Sequence, residues 1–380
     1  MKVSRVEAFA VRAAQEGQYW GAQAWSAASD ASQARRRFIY SDRVETVLVR
    51  LETSDGVVGW GESKAPVGAV VTAKLVEELL TPIVLGTRVD EITLTWDRMY
   101  TGMRVRGHDA GFWLEALSGV DIALWDAWAR TLNQPLHTLI GGRYRESVPV
   151  YASGIPAGLG VQAAHERALQ YRERGFRATK VAIGNDPRQD VAVVEAVRDV
   201  FDEVYADAAG TYDLPQALAV GRELTQLRVG FFEMPIAPEY VDGYATLAAK
   251  LDIPLALDSL PNRYRAMEFL KRGALHVLQP DVCRAGGITE LMRIAQLADS
   301  FGAQATPHVS IGSAVHFAAS LQCAAAIPNF TVMEHWAGVN PLGEPIAADH
   351  LDPVQGVRVV PHAPGLGITV DETAVRHLSH

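Results

Sequence analysis

From about residue 147 to residue 334 short β-like runs alternate with amphipathic stretches of about 10 to 16 residues, and nothing else in the chain restricts its fold so tightly. The runs lie at 148–153, 177–182, 203–207, 230–233, 254–258, 275–280, 304–308 and 331–334. Eight of them is the number that a closed parallel barrel needs. A doubly wound open sheet uses the same alternation, but no Gly-x-Gly-x-x-Gly follows the first run to hold a dinucleotide. Gly141-Gly142 and Gly286-Gly287 read as turns.

The preceding residues have another texture. Residues 3–12, 44–53 and 57–61 alternate with a period of two around Ser54-Asp55-Gly56, which predicts a small antiparallel sheet with one buried face. Helical patterns follow at 68–85, 89–103 and 112–133. The last, FWLEALSGVDIALWDAWARTL, is apolar almost all round and predicts a buried helix. The expected organisation is α/β: an α+β domain over residues 1–130, a barrel over 131–350, and a segment 351–380 that packs back on the first domain. Residues 19–43, with Trp20, Trp25 and Arg35-Arg36-Arg37, show no periodicity and read either as a solvated linker or as a lid.

A chain of 380 residues, 48% hydrophobic, can bury a large core. Its net charge of −9 argues against nucleic acid as a partner, and no apolar run of about 18 residues is present to cross a membrane. Cys283 and Cys323 lack the spacing of a disulfide framework or a thiolate metal site. These features predict a cytoplasmic protein.

The ends of the candidate strands carry Lys180, Asp207, Glu233, Asp258, Asp281, His308 and Glu334, separated by 27, 26, 25, 23, 27 and 26 residues. One βα unit takes up about that length, so all seven are expected at the mouth of the barrel, where such folds place their chemistry. Singly, an acidic residue at a strand end is most often a cap or a surface group. Three in succession, Asp207, Glu233 and Asp258, form an oxygen-only set suited to Mg²⁺ rather than zinc. Asp281 and His308 are expected side by side, where the carboxylate fixes the imidazole tautomer and suits it to act as a general base. Lys180 is expected to neutralise a substrate carboxylate or to pair with Asp207. Glu334 is expected to be kept protonated by neighbouring carboxylates, as a donor to a substrate oxygen. Such a set suits removal of a proton next to the carboxylate of a small molecule, because that weak carbon acid needs cations to hold the charge that forms.

Residues 1–370 resemble the enolase superfamily in its mandelate racemase subgroup. The resemblance is carried in order by ALSGVDIALWDAWARTLNQPLHTLIGGRYRESVPVYASG (116–154), ATKVAIG (178–184), YADAAG (205–210), FFEMP (231–235), LDSLPNRY (257–264), LQPDVCRAGGITE (278–290), ATPHV (305–309) and VMEHW (332–336). It implies a capping domain, a modified TIM barrel of the (β/α)7β kind, and a homo-oligomer, dimer or octamer. It also implies loops near Trp20–Tyr40 and Glu62–Pro66 that close over the substrate. The family's metal ligands fall on Asp207, Glu233 and, with a one-residue gap, Asp258, where the family usually has Glu. Its His–Asp dyad falls on His308 and Asp281, and its late glutamate on Glu334.

The family's Lys-x-Lys reads here Lys180-Val181-Ala182, and its Asp-x-Asn reads Asp207-Ala208-Ala209. The base of one face is thereby lost. Racemisation needs a group on each face, whereas elimination needs one base, so the expected activity is a hydro-lyase: dehydration of an aldonate or aldarate to a 2-keto-3-deoxy acid. Cycloisomerisation of an acid-sugar lactone is the alternative reaction, and a non-catalytic binding protein the alternative of another class. Arg36, Arg37, Arg104, Arg106, His108 and Arg263 are candidate specificity residues.

Overall fold

The computed structural model describes residues 1–14, 43–347 and 353–379. Strands β1 (Val3–Ala14), β2 (Arg43–Thr53) and β3 (Val58–Ser63) form an antiparallel sheet in chain order. The alternation had suggested one buried face; both are covered. Val47, Val49 and Leu51 enter the core shared with the neighbouring helices, while Val44 and Leu48 enter the core that continues into the barrel.

The helices beside this sheet span Ala69–Val84, with a π-turn at Val76–Leu80, and Ile92–Arg104 and Phe112–Thr131. Gly59 and Gly61 let β3 lie directly on the last of these: a Cβ there would sit 2.2 Å from Ala123 O and 1.9 Å from Gly119 O. That contact carries the end of β3 to the barrel. The helix also buries two aspartates. Asp126 accepts from Trp60 N and Leu366 N, and Asp121 accepts from Thr289 N and its hydroxyl, so the helix binds strand, tail and barrel together.

Eight parallel strands follow: β4 (Ser147–Ile155), β5 (Ala178–Ala182), β6 (Glu203–Asp207), β7 (Phe232–Glu233), β8 (Leu255–Leu257), β9 (Val277–Leu278), β10 (Gln304–Ala305) and β11 (Met333–Trp336). A helix stands between each consecutive pair, and β11 pairs with β4, which gives the (β/α)7β order. Between β10 and β11 the join is made by Ala305 N on Asn329 O and by the Thr306 hydroxyl on Val332 O. Strands β9 and β10 are shorter than the sequence suggested because Pro280 and Pro307 offer no N–H to the ladder. The chain leaves the sheet there, just before Asp281 and His308.

The tail touches both halves of the molecule. Strand β12 (Val357–Val359) pairs antiparallel with β4, and Glu372 in the final helix (Glu372–Leu378) binds Arg50 of β2. Residues 15–42, which contain most of the segment read as a linker or lid together with Arg36 and Arg37, lie outside the described residues.

Candidate active site

The register shows how residues far apart in sequence reach one level. Ala182 faces Asp207 across β5 and β6, so Lys180 lies two positions earlier; Asp207 faces Glu233; Glu233 faces Ala256, two positions before Asp258; and Asp281 bridges His308. Tilted barrel strands are staggered by about one residue per strand on average. Climbing by two, zero, then two therefore keeps these side chains together at one end of the barrel.

All seven residues join one buried network. Lys180 Nζ lies 2.8 Å from Glu233 Oε2, 3.2 Å from Asp207 Oδ2 and 3.3 Å from Glu334 Oε1. Its pairing thus extends well beyond Asp207. Gln279 Nε2 donates to the same Glu233 oxygen at 3.0 Å, and Asp207 Oδ1 accepts from Ala209 N at 2.9 Å. Glu233 Oε1 is buried with no hydrogen-bond partner among the described residues.

On the other side, His308 Nδ1 lies 2.9 Å from Asp281 Oδ2, while Nε2 lies 3.4 Å from Glu334 Oε2 and 3.7 Å from Asp258 Oδ2. Donor atoms of Glu233, Asp258 and His308 fall within 4.8 Å of one another. Asp258 sits just past the end of β8 and accepts from the Ser259 hydroxyl at 3.2 Å.

Charge separates these carboxyls into two groups. Burial raises Asp207 in spite of the relief from Lys180, and it raises Glu233 further with the repulsion of Asp207, Asp258 and Glu334, so that Glu233 ends well above the usual carboxylate range. Burial also opposes charge on Asp281, but His316, Lys64 and His308 outweigh it and hold Asp281 well below that range. An orphaned buried oxygen among crowded carboxyls that one lysine does not neutralise is the environment that a hard divalent cation relieves. Asp207, Glu233 and Asp258 therefore fit a metal by donor type and by charge.

Glu334 corrects an expectation. Burial opposes its charge as well, yet Lys180, His308 and the backbone hold its carboxyl below the ordinary range, so it is an anion and not a donor. Oε2 accepts from Val309 N at 3.0 Å and Ser310 N at 2.9 Å, and Ser310 adopts a left-handed φ of 53° to aim its N–H there. The loop after β10 is bent around the negative charge.

Asp281 has more partners than its place in the sequence suggested. Oδ1 accepts from Cys283 N at 2.8 Å and lies 3.1 Å from His316 Nε2; Oδ2 is shared by His308 and by Lys64 Nζ at 3.3 Å. Lys64 follows β3 directly and also donates to Val309 O at 2.9 Å. Two residues earlier, Glu62 accepts from Ser313 N and His316 N at the start of helix Ala314–Ala326. The segment Glu62–Ala65 is buried against the barrel. Nothing in the local pattern marks Lys64, His316 or Gln279, because their partners lie on distant strands.

The candidate specificity residues separate in the same way. Arg263 binds Glu290 and packs on Trp96 and Tyr264, while Arg104, Arg106 and His108 are exposed. Arg284, within LQPDVCRAGGITE, has no local pattern that marks it, yet it lines a cavity with Asp258 and Asp281. Ala182 is buried and leaves no acid–base group at its position on β5.

Comparison with known proteins agrees with this architecture. Residues 163–374 match the family described as Enolase C-terminal domain-like, and residues 38–141 match the Mandelate racemase / muconate lactonizing enzyme, N-terminal domain. D-galactarolactone cycloisomerase of Agrobacterium fabrum is 35% identical over 352 residues, covering 88% of this chain and 91% of its own. Arabinonate dehydratase of Saccharolobus solfataricus is 33% identical over 334 residues, covering 86% of this chain and 88% of its own. The crystal structure of the 3,6-anhydro-D-galactonate cycloisomerase from Zobellia galactanivorans superimposes with a TM-score of 0.86 at 26% identity over 100% of both chains. Among the described residues no helix is long and apolar enough to cross a membrane. With both halves matched and a relative 35% identical over 91% of its own length, the chain belongs to the mandelate racemase and muconate lactonizing enzyme family of the enolase superfamily.

Proposed function

We propose that this protein is a hydro-lyase that dehydrates a sugar acid to a 2-keto-3-deoxy acid, with His308 as its single base. The observation that carries the reading is the Asp281–His308 pair at 2.9 Å, combined with Ala182 where the resemblance predicts a second lysine. Asp281, held as an anion, accepts the Nδ1 proton of His308. That leaves Nε2 with a lone pair toward the site, as a base requires.

Magnesium held by Asp207, Glu233 and Asp258 would supply Lewis-acid neutralisation of the charge that builds on the substrate carboxylate. Lys180 adds a fixed positive charge beside the same carboxylates. His308 removes the α-proton and, as imidazolium, returns a proton to the departing β-hydroxyl on the same face. Glu334, as an anion 3.4 Å from Nε2, steadies the imidazolium and does not serve as that acid.

The test is incubation with Mg²⁺ and a library of aldonates and aldarates. Formation of a 2-keto-3-deoxy acid, lost in His308→Asn, supports the reading, and its absence with every member rejects it. The second reading is ring opening of an acid-sugar lactone, favoured by the name of the Agrobacterium relative. Elimination then expels a ring oxygen rather than water, so a lactone turned over without any dehydration of the open acids selects it.

A further inference from the structure

A cavity opens beside the base, walled by Gly111, Glu115, Asp258, Pro261, Asp281 and Arg284 among others. Glu115 comes from the first turn of helix Phe112–Thr131 and Arg284 from the loop after β9, so capping domain and barrel meet across it. Both backbones are anchored. Gly286 N donates to the Ser118 hydroxyl, Arg284 N to Asp281 O, and Glu115 N to Gly111 O.

The Arg284 guanidinium meets Glu115 Oε1 through Nε at 3.3 Å, and its two Nη groups have no partner among the described residues. The Arg284 side chain is 44% exposed and that of Glu115 is 9% exposed. One end of the guanidinium thus rests on the wall while the other is left to a ligand.

Charge identifies the ligand group. Asp281 is already answered by Lys64 and two imidazoles, and Asp258 belongs to the metal set. What remains on this wall among the described residues is one cation and one anion, neutral as a pair. A second carboxylate would find Arg284 as the one cation of this wall among the described residues, and Arg284 is already paired with Glu115. A hydroxyl, which both donates and accepts, satisfies Glu115 and Arg284 at once.

We propose that Arg284 and Glu115 form the subsite for the uncharged, hydroxyl-bearing end of the substrate, which makes the substrate a monocarboxylate sugar acid and not a dicarboxylate. This rests on the acid-sugar reading and narrows it.

The experiment uses pairs of acids with one carbon skeleton, such as D-gluconate with D-glucarate and D-galactonate with galactarate, within a wider library of such pairs. Each pair differs only in a terminal CH2OH or carboxylate. Exchange of the α-proton in heavy water and keto-acid formation are followed with the Mg²⁺-loaded wild type, Arg284→Met and Glu115→Gln. The accepted aldonate is expected to exceed its aldarate by about tenfold or more in kcat/KM, the size of effect that one well-placed polar group produces. Arg284→Met is expected to raise KM for that aldonate about tenfold with kcat within about twofold, since it removes binding common to ground and transition states. Glu115→Gln is expected to narrow the gap between the two acids. A wild-type preference for the aldarate, or loss of kcat with KM unmoved in Arg284→Met, overturns the subsite while leaving the dehydratase reading intact. No exchange with any acid in the library overturns both.

Discussion

Lys64 Nζ, at the end of a strand of the capping domain, lies 3.3 Å from Asp281 Oδ2, the oxygen that also receives the imidazole of His308. His308, the proposed base, is therefore held from both domains. A cation delivered from the cap keeps the barrel's carboxylate ionised, and the carboxylate sets the tautomer of the histidine.

Replacing Lys64 with Met separates that contribution from substrate binding. Removing one partner of a buried pair destabilises the fold by about 3 kcal/mol. We expect kcat to fall by about ten- to a hundredfold with KM nearly unchanged, because Lys64 touches Asp281 and Val309 and reaches the reaction only through them. A rise in KM with kcat intact would instead place Lys64 in contact with substrate.

Asp281→Asn removes the anion and leaves Nδ1 of His308 free to lose its proton to the wrong tautomer. The expected loss in α-proton exchange is about a thousandfold with Mg²⁺ affinity close to that of the wild type, and the fold loses about 3 kcal/mol because Lys64 is left without its buried partner. Exchange within tenfold of the wild type would remove Asp281 from this role.

Metal dependence follows from the carboxyls. Asp207 and Glu233 are raised in the folded state, so without metal they favour folding fully only below their unfolded values near 4, and that favour is lost as pH rises through their folded values. Asp281 and Glu334 are lowered and act in the opposite sense: their stabilisation is present above about pH 4 and lost as pH falls through their folded values. Saturating Mg²⁺ at about a hundred times its Kd should stabilise the protein by about 2.7 kcal/mol. The increase in melting temperature should be larger at pH 8 than at pH 5, where protons compete for the same oxygens. Calorimetry with and without chelator checks this, and an effect independent of pH would contradict it.

Glu62 supports the same junction without touching His308. Its carboxylate takes the Ser313 and His316 N–H groups and the Thr46 hydroxyl. Glu62→Gln turns an amide NH2 toward donors, at a cost of about 2 to 3 kcal/mol. A fall in the urea midpoint is expected, with activity recovered at low temperature where the fold persists. An unchanged midpoint would show that these bonds do not hold the domains together.

Much of this was legible in the amino-acid order. Repeats of about 26 residues dictate βα units, and a polar residue at each unit's end necessarily arrives at the same mouth, so Lys180, Asp207, Glu233, Asp258, Asp281, His308 and Glu334 could be grouped before any fold was seen.

Tertiary structure alone decided which of those groups carry charge and which neighbours they have. Glu334 reads from the sequence as one more crowded acid, but a lysine 154 residues away and two N–H groups of a bent loop make it an anion. Lys64 reaches Asp281 across 217 residues, and Arg284 meets Glu115 across 169. Periodicity records which face of an element is buried, because burial repeats with the backbone. It carries no record of a single polar contact between distant strands, since such a contact occurs once and depends on how two domains close.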